Sequence, residues 1–196
     1  VVKLYSSPDG TSFHALGRVY SGTLRAGDRV RVLGESYSLD DEEDMAHADA
    51  ASLSLGQGRY RMDLPEAYAG NWVLVEGIDA PINKTATVAA AEASGGGRSD
   101  GLGDLHVDIF RPLRFNAAAV LKLAVEPLNP AELPKMVEGL RRISKAYPLA
   151  GTKVEESGEH VVMGTGELYL DCIMHDLREV YSDIEVKVAD PCVAFC

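Results

Sequence analysis

The chain has 196 residues, 46% of them hydrophobic and 25% charged, and sets 19 Lys and Arg against 30 Asp and Glu for a formal charge of −11. That length suits one large domain or two small ones, and no apolar run approaches the roughly 20 residues of a membrane-spanning helix, so collagen-like, wholly disordered and membrane readings are excluded. The acidic excess disfavours a general polyanion binder, because nucleic-acid phosphates are gripped mainly by clustered Lys and Arg, and leaves only a local RNA contact open.

The chain starts at Val1 within the alternating stretch Val2-Lys3-Leu4-Tyr5 and stops in Asp190-Pro191-Cys192-Val193-Ala194-Phe195-Cys196, a strand pattern without a polar tail. An excised piece of a longer chain is therefore expected. Three cysteines, Cys172, Cys192 and Cys196, are too few and too clustered for a disulfide framework, which points to a reducing compartment.

From Val1 to Asn116, short runs rich in Val, Leu and Tyr are broken by Gly, Asp, Pro and Ser, the punctuation of a small β-barrel. His14 to Tyr20 and Asp28 to Leu33 read as strands, joined through Ser21-Gly22-Thr23 and Ala26-Gly27-Asp28. In Arg29-Val30-Arg31-Val32 the alternation puts the valines on one face and the arginines on the other. Asn71 to Val75 is a continuous apolar run suited to a strand covered on both sides, with Trp72 a core or domain-contact residue. Asp108 to Phe115 is predicted as the last strand, with Pro112 at an edge or bulge. Two segments interrupt this pattern. Asp40, Asp41, Glu42, Glu43 and Asp44 repel one another and predict a solvated loop. The Ala- and Gly-rich stretch from Ala89 to Gly103 has too little apolar content to offset the entropy of ordering, so a mobile insertion is predicted there.

After Asn116 the period changes. Ala119 to Glu126 alternates as a strand, and Asn129-Pro130-Ala131-Glu132 supplies an Asn cap and a proline at the first helical position. In the predicted helix Leu133, Met136, Val137, Leu140, Ile143, Ala146 and Tyr147 form one buried stripe, while Lys135, Glu138, Arg141, Arg142 and Lys145 face water, and Pro148 stops it. Lys153 to Glu156 and His160 to Met163 flank a Ser157-Gly158 hairpin turn. A second helix runs from about Gly166 to Tyr181 with Leu170, Ile173, Met174, Leu177 and Tyr181 inward, and Ile184 to Val188 closes the unit. The order β-α-β-β-α-β is the split βαβ, or ferredoxin-like, arrangement. The fold class is thus multi-domain, β followed by α/β, with a barrel over 1–116 and a ferredoxin-like domain over 117–196.

Catalytic motifs are missing. The chain has no G-x-x-x-x-G-K-[ST] phosphate loop, no complete G-x-G-x-x-G and no G-x-S-x-G elbow, and Gly164-Thr165-Gly166 is a strand-to-helix turn. Cys172 and His175 stand three apart on the second helix, but a structural zinc needs four ligands and no second pair has matching spacing, so Cys172 is read as a small core residue. Glu155, Glu156, Ser157, Gly158, Glu159 and His160 gather acid-base groups at one hairpin, where an exposed turn or an interface contact is favoured over catalysis. No catalytic, cofactor-binding or metal residue is assigned. The surface candidates for partner contact are Asp40, Asp41, Glu42, Glu43 and Asp44, the basic residues Arg141, Arg142 and Lys145, and the turn residues Ser157, Gly158 and Glu159.

Longer strings add a resemblance. Leu123 to Leu140, Val154-Glu-Glu-Ser-Gly-Glu-His160 and Gly164-Thr-Gly-Glu-Leu-Tyr-Leu170 resemble the third domain of elongation-factor-2-type GTPases. Gly17-Arg18-Val19-Tyr20-Ser21-Gly22, Ala26-Gly27-Asp28 and Ala69-Gly70-Asn71 resemble the β-barrel second domain of the same family. Leu33 to Asp44, Gly70 to Asp79 and Ile109 to Asn116 are most similar to its splicing branch, the GTPases of the U5 small nuclear ribonucleoprotein (snRNP). That resemblance implies a nuclear parent protein that binds GTP and couples nucleotide state to spliceosome activation and disassembly. Its implied partners are the large spliceosomal scaffold protein, the associated RNA helicase, other U5 snRNP proteins and a small nuclear RNA. No GTPase residue carries over, because the matching positions lie outside this chain, so the piece is expected to be a non-enzymatic relay or scaffold with no cofactor of its own. A fragment of a ribosomal translocation GTPase is the second reading, and a small hydrolase using the Glu155 to His160 cluster a distant third.

Overall fold

The computed structural model describes residues 1–38, 43–91 and 107–193, and it separates into two units, Val1–Ser7 with Ser12–Leu113 and Pro8–Thr11 with Arg114–Cys196. The first unit is built of β1 (Lys3–Ser6), β2 (Phe13–Arg18), β3 (Thr23–Arg25), β4 (Arg29–Leu33), β5 (Met45–Asp49), β6 (Ser52–Gln57), β7 (Tyr60–Leu64), β8 (Glu66–Tyr68), β9 (Trp72–Glu76) and β10 (Thr87–Ala90). These form a five-stranded sheet in the order β1-β2-β9-β6-β7, a three-stranded sheet β10-β4-β5 and a two-stranded ribbon β3-β8.

Side-chain alternation sets what each strand buries. In β4, Val30 and Val32 are 3% and 1% exposed, while Arg29 is exposed and Arg31 half-buried. The continuous run in β9 is covered on both faces, with Val73, Leu74 and Val75 all buried between β2 and β6. The β3–β4 turn needs Gly27, whose φ is +89°, and Asp28 closes it by accepting the Arg25 N–H at 2.8 Å.

Two expectations change here. Residues 107–116 make no strand: the segment is irregular and largely exposed, and Phe110 donates its N–H to the Thr87 hydroxyl at 2.8 Å instead of joining a ladder. Pro112 has no N–H to give, and the partner that β4 needed is supplied by β10. The insertion also begins later than predicted. Ala89 and Ala90 lie in β10, opposite Arg31 and Val30, while residues 92–106 fall outside the described residues. Small size did not keep these alanines out of a strand, because the Thr87-Val88 start had already fixed the pairing.

The second unit comprises β11 (Leu121–Pro127), a single tight turn of helix (Pro130–Glu132), α1 (Leu133–Ala146), β12 (Gly151–Val154), β13 (His160–Gly164), α2 (Glu167–Asp176), a wider helical continuation (Leu177–Ser182), β14 (Val186–Val188) and β15 (Cys192–Val193). The sheet runs β12-β13-β11-β14, with β15 pairing to β11 beyond β14, and each of these pairings is antiparallel. Asn129 caps the tight turn Pro130–Glu132 that leads into α1, its side-chain oxygen accepting the Ala131 N–H at 3.2 Å, whereas α1 itself starts from Glu132 without a side-chain cap. The helix ends at Ala146 because Pro148 pushes Tyr147 into an extended conformation. Met136, Leu140 and Ile143 of α1, Leu170, Ile173 and Met174 of α2, Leu177 of the turns that follow it, and Val125 and Val162 of the sheet are all buried, with α1 and α2 each packed against the Leu177–Ser182 turns. Leu133, expected in the buried stripe, is 40% exposed, since the tight turn before it displaces the first residue of α1 from the core face.

Candidate interaction surfaces

The acidic loop joins β4 to β5. Its residues Asp40, Asp41 and Glu42 lie outside the described residues, and Glu43 is exposed. Asp44 is half-buried and bonded. Its backbone oxygen accepts the Gly34 N–H at 2.8 Å and its carboxylate accepts the Ser36 N–H at 2.9 Å, so it ties the two ends of the loop together. Gly34 is required opposite it, because a β-carbon there would collide with the Asp44 carboxylate.

The basic residues of α1 separate. Arg141 is exposed and 3.8 Å from Glu138, whereas the Arg142 side chain is only 28% exposed. Arg142 stands 3.5 Å from Glu138 and points its guanidinium at the carbonyls of Tyr181, 3.4 Å away, and Gly10, at 3.5 Å. Helical phase predicts the water face for it, but it flanks the buried stripe on the side of the Leu177–Ser182 turns. Lys145 is half-buried in the last turn, where its charge favours the helix C-terminus.

Ser157, Gly158 and Glu159 are exposed at the tip of the β12–β13 hairpin. The turn satisfies itself: Glu155 donates its N–H to the Glu159 carbonyl at 2.9 Å, the Ser157 hydroxyl donates to Glu159 at 3.2 Å, and Gly158 has φ +88°. The Glu155 carboxylate, 2.6 Å from the Lys153 ammonium, is held below the usual carboxylate range by that bond. This hairpin lines neither the first unit's cleft nor the 430 Å³ hollow of the second unit around Leu128, Arg178 and Ile184.

Cys172 is exposed, a correction to its reading as core. At 3.6 residues per turn it falls about 200° from Leu170, on the side of α2 away from the core. His175 lies 3.3 Å from Asp176, whose other oxygen accepts the Tyr147 hydroxyl at 2.6 Å. Burial, reinforced by that bond, pushes the Tyr147 phenol well above its usual value. Among the described residues no three His, Cys, Asp or Glu side chains gather in a way that could hold a metal ion.

Two features were missed from sequence. Trp72, expected in the core or at a domain contact, is not a core residue: it is 47% exposed and lines an open cleft of about 1410 Å³ in the first unit. On the same cleft Tyr20 and Phe110 stack with centroids 4.7 Å apart, and Arg18 lies 5.5 Å from the Tyr20 ring. These residues are far apart in the chain, so only Arg18-Val19-Tyr20 and Phe110-Arg111, exposed aromatics beside arginines, gave a local signal. The second feature is the β6–β7 hairpin, whose tip carries Arg59, Tyr60 and Arg61, all exposed.

Elongation factor Tu domain 2 matches residues 12–89, and elongation factor G domain III matches residues 117–190. The chain belongs to the elongation-factor family and carries its second and third domain modules. Within that family it is 59% identical over all 196 residues to the 110 kDa U5 small nuclear ribonucleoprotein component CLO of Arabidopsis thaliana. It is also 50% identical over 196 residues to the pre-mRNA-splicing factor cwf10 of Schizosaccharomyces pombe, and 36% identical over 92% of the chain to the pre-mRNA-splicing factor SNU114 of Saccharomyces cerevisiae. The chain spans 19% of the length of each of these relatives.

Proposed function

We propose that the chain is the non-catalytic relay of a nuclear splicing GTPase, transmitting guanine-nucleotide state to spliceosome activation and disassembly. The observation that carries this reading is 59% identity to a U5 snRNP component over all 196 residues of the chain, far above what fold alone requires. The modules act as a translation-factor β-barrel over 1–116 and a ferredoxin-like domain over 117–196, a reading supported by the βαββαβ order and the sheet order β12-β13-β11-β14. GTP binds the parent protein through a domain outside this chain. The partners are the large spliceosomal scaffold protein, the associated RNA helicase, other U5 proteins and a small nuclear RNA. Arg141, Ser157, Gly158, Glu159 and Glu43 are the exposed contact candidates, while Asp44 and Arg142 already serve internal bonds.

A relay needs a joint. Residues 114–120, including Ala117, Ala118 and Ala119, form an exposed, irregular run that would let one module rotate on the other. NMR relaxation should give the two modules different tumbling times, and a single shared time would refute the joint. Tagged parent protein should co-purify from nuclear extract with U5 small nuclear RNA. Co-sedimentation with ribosomes instead would move the parent to translation. Calorimetry of the 196-residue chain with GTP should give no heat of binding, and saturable binding at micromolar affinity would overturn its non-catalytic role.

A further inference from the structure

The first unit's five-stranded sheet ends on β7, an edge strand joined to β6 by a tight turn at Gly58, where φ is +62°. Every residue of β7 except Leu64 is exposed, and so are Gly56, Gln57, Gly58 and Arg59. The hairpin therefore stands clear of the unit's core. Its apex holds a platform of unusual composition for a chain with charge −11. Tyr60 is 68% exposed and Met62 53% exposed, and strand alternation puts them on one face. The Arg59 guanidinium lies 5.8 Å from the Tyr60 ring on that platform. Arg61 projects to the other face, opposite Gly56, which has no side chain to cover it. Among the described residues neither Arg59 nor Arg61 has an ion-pair partner, in contrast to Arg25, Arg141 and Arg142, which pair with Glu66 or Glu138.

Edge strands are commonly charged to prevent pairing with other chains, but that purpose does not call for a flat aromatic and a methionine left open beside the charges. Two free guanidiniums around an exposed ring are what single-stranded RNA uses: arginines take the phosphates, and the ring stacks a base whatever its identity. We propose that the β6–β7 hairpin tip is a single-stranded RNA contact, with Tyr60 stacking a base and Arg59 and Arg61 each neutralising one phosphate. The contact supplies the RNA-facing point of the splicing relay and rests on that reading for its biological partner, though not for its chemistry. Two phosphate contacts make it a local, weak contact, consistent with a protein that does not grip polyanions as a whole.

The test uses the 196-residue chain and an unstructured oligouridine of about ten nucleotides at low salt, followed by NMR. Resonances of Tyr60 and Met62 should shift saturably. The slope of log K against log salt should be about −1.4 for two phosphates, and Arg59→Ala or Arg61→Ala should each reduce it by about 0.7. Tyr60→Ala should weaken binding by roughly 5- to 100-fold, and Tyr60→Phe should restore most of it. Because these side chains are exposed, unchanged far-ultraviolet dichroism will show that each variant folds. Absence of shifts at millimolar oligouridine, shifts confined to other residues, insensitivity to all three alanine substitutions, or tighter binding of a poly-glutamate peptide at the same tip would each overturn the proposal. None of these outcomes bears on co-purification with U5 RNA, so failure of the contact and failure of the splicing reading are distinguishable.

Discussion

The closest packing in the second unit is between α1 and the helical turns that follow α2, and it depends on one glycine. A β-carbon added at Gly139 would fall far inside 3.0 Å of the Ser182 hydroxyl and 2.8 Å from a Leu177 methyl, both on buried residues. Replacing a helical glycine with alanine normally gains about 0.5–1 kcal/mol, whereas overpacking a tight core costs about 1–3 kcal/mol. Gly139→Ala should therefore destabilise the unit by roughly 1–2 kcal/mol, against the direction of helix propensity. Ser182 has no hydrogen-bond partner for its buried hydroxyl among the described residues, so Ser182→Ala should be neutral or stabilising by up to about 1 kcal/mol. It also vacates the space the new methyl needs. The double variant should then recover most of the loss, with a coupling of about 1 kcal/mol or more. Denaturant unfolding followed by helical dichroism reports this unit, since all helices among the described residues lie in it, while the single Trp72 reports the other. Gly139→Ala at or above wild-type stability, or strictly additive effects of the two substitutions, would refute the packing argument.

Three further outcomes are expected. Asn129→Ala should lower the helical transition by about 0.5–1 kcal/mol through loss of the cap on Ala131, read in the same unfolding experiment. Asp44→Ala, which leaves the Ser36 N–H without its acceptor, should lower stability by about 1 kcal/mol in the Trp72-detected transition, and Gly34→Ala should cost more because its β-carbon meets the carboxylate directly. The raised phenol of Tyr147 makes stability fall at alkaline pH: its contribution is complete below the unfolded value of about 10 and is lost as pH climbs from there towards the folded value. Tyr147→Phe should flatten that decline in a titration of the helical midpoint, with a residual slope from Tyr169, which burial also raises.

The second unit was legible because its signals are local and agree with one another. Asn129 and Pro130 mark the tight turn that leads into α1, Pro148 marks the end of the helix, and steps of three and four from Met136 to Ile143 mark its buried face. The first unit was legible at β2, β4 and β9 but not at its last strand. There, Asp108 to Phe115 carries strand-like alternation but forms no strand, while β4 pairs with Thr87–Ala90, whose alanines gave no strand signal in the sequence. Single-residue burial failed where neighbours decide it. Trp72 sits in an apolar run but at the strand end, where the sheet opens into the cleft. Cys172 is small and apolar but has the wrong helical phase.

Surface chemistry was the least legible part, and the reason is the level at which charge was counted. Summed over the chain, −11 argues against RNA, and a count over either half gives the same sign. Binding, however, depends on potential over about one Debye length, roughly 8–10 Å at physiological salt, not on a total. Arg59, Tyr60 and Arg61 are consecutive and so were visible as a string, but the same string inside a pressed sheet would be two paired arginines and a core tyrosine. What separates the two cases is that β7 is the last strand of its sheet, a fact of topology set by the pairing of β6 with both β7 and β9. The acidic remainder then has a physical role of its own. In the proposed contact, repulsion from it would disfavour RNA on the rest of the surface, so that two phosphate contacts select one place on the molecule without holding it tightly.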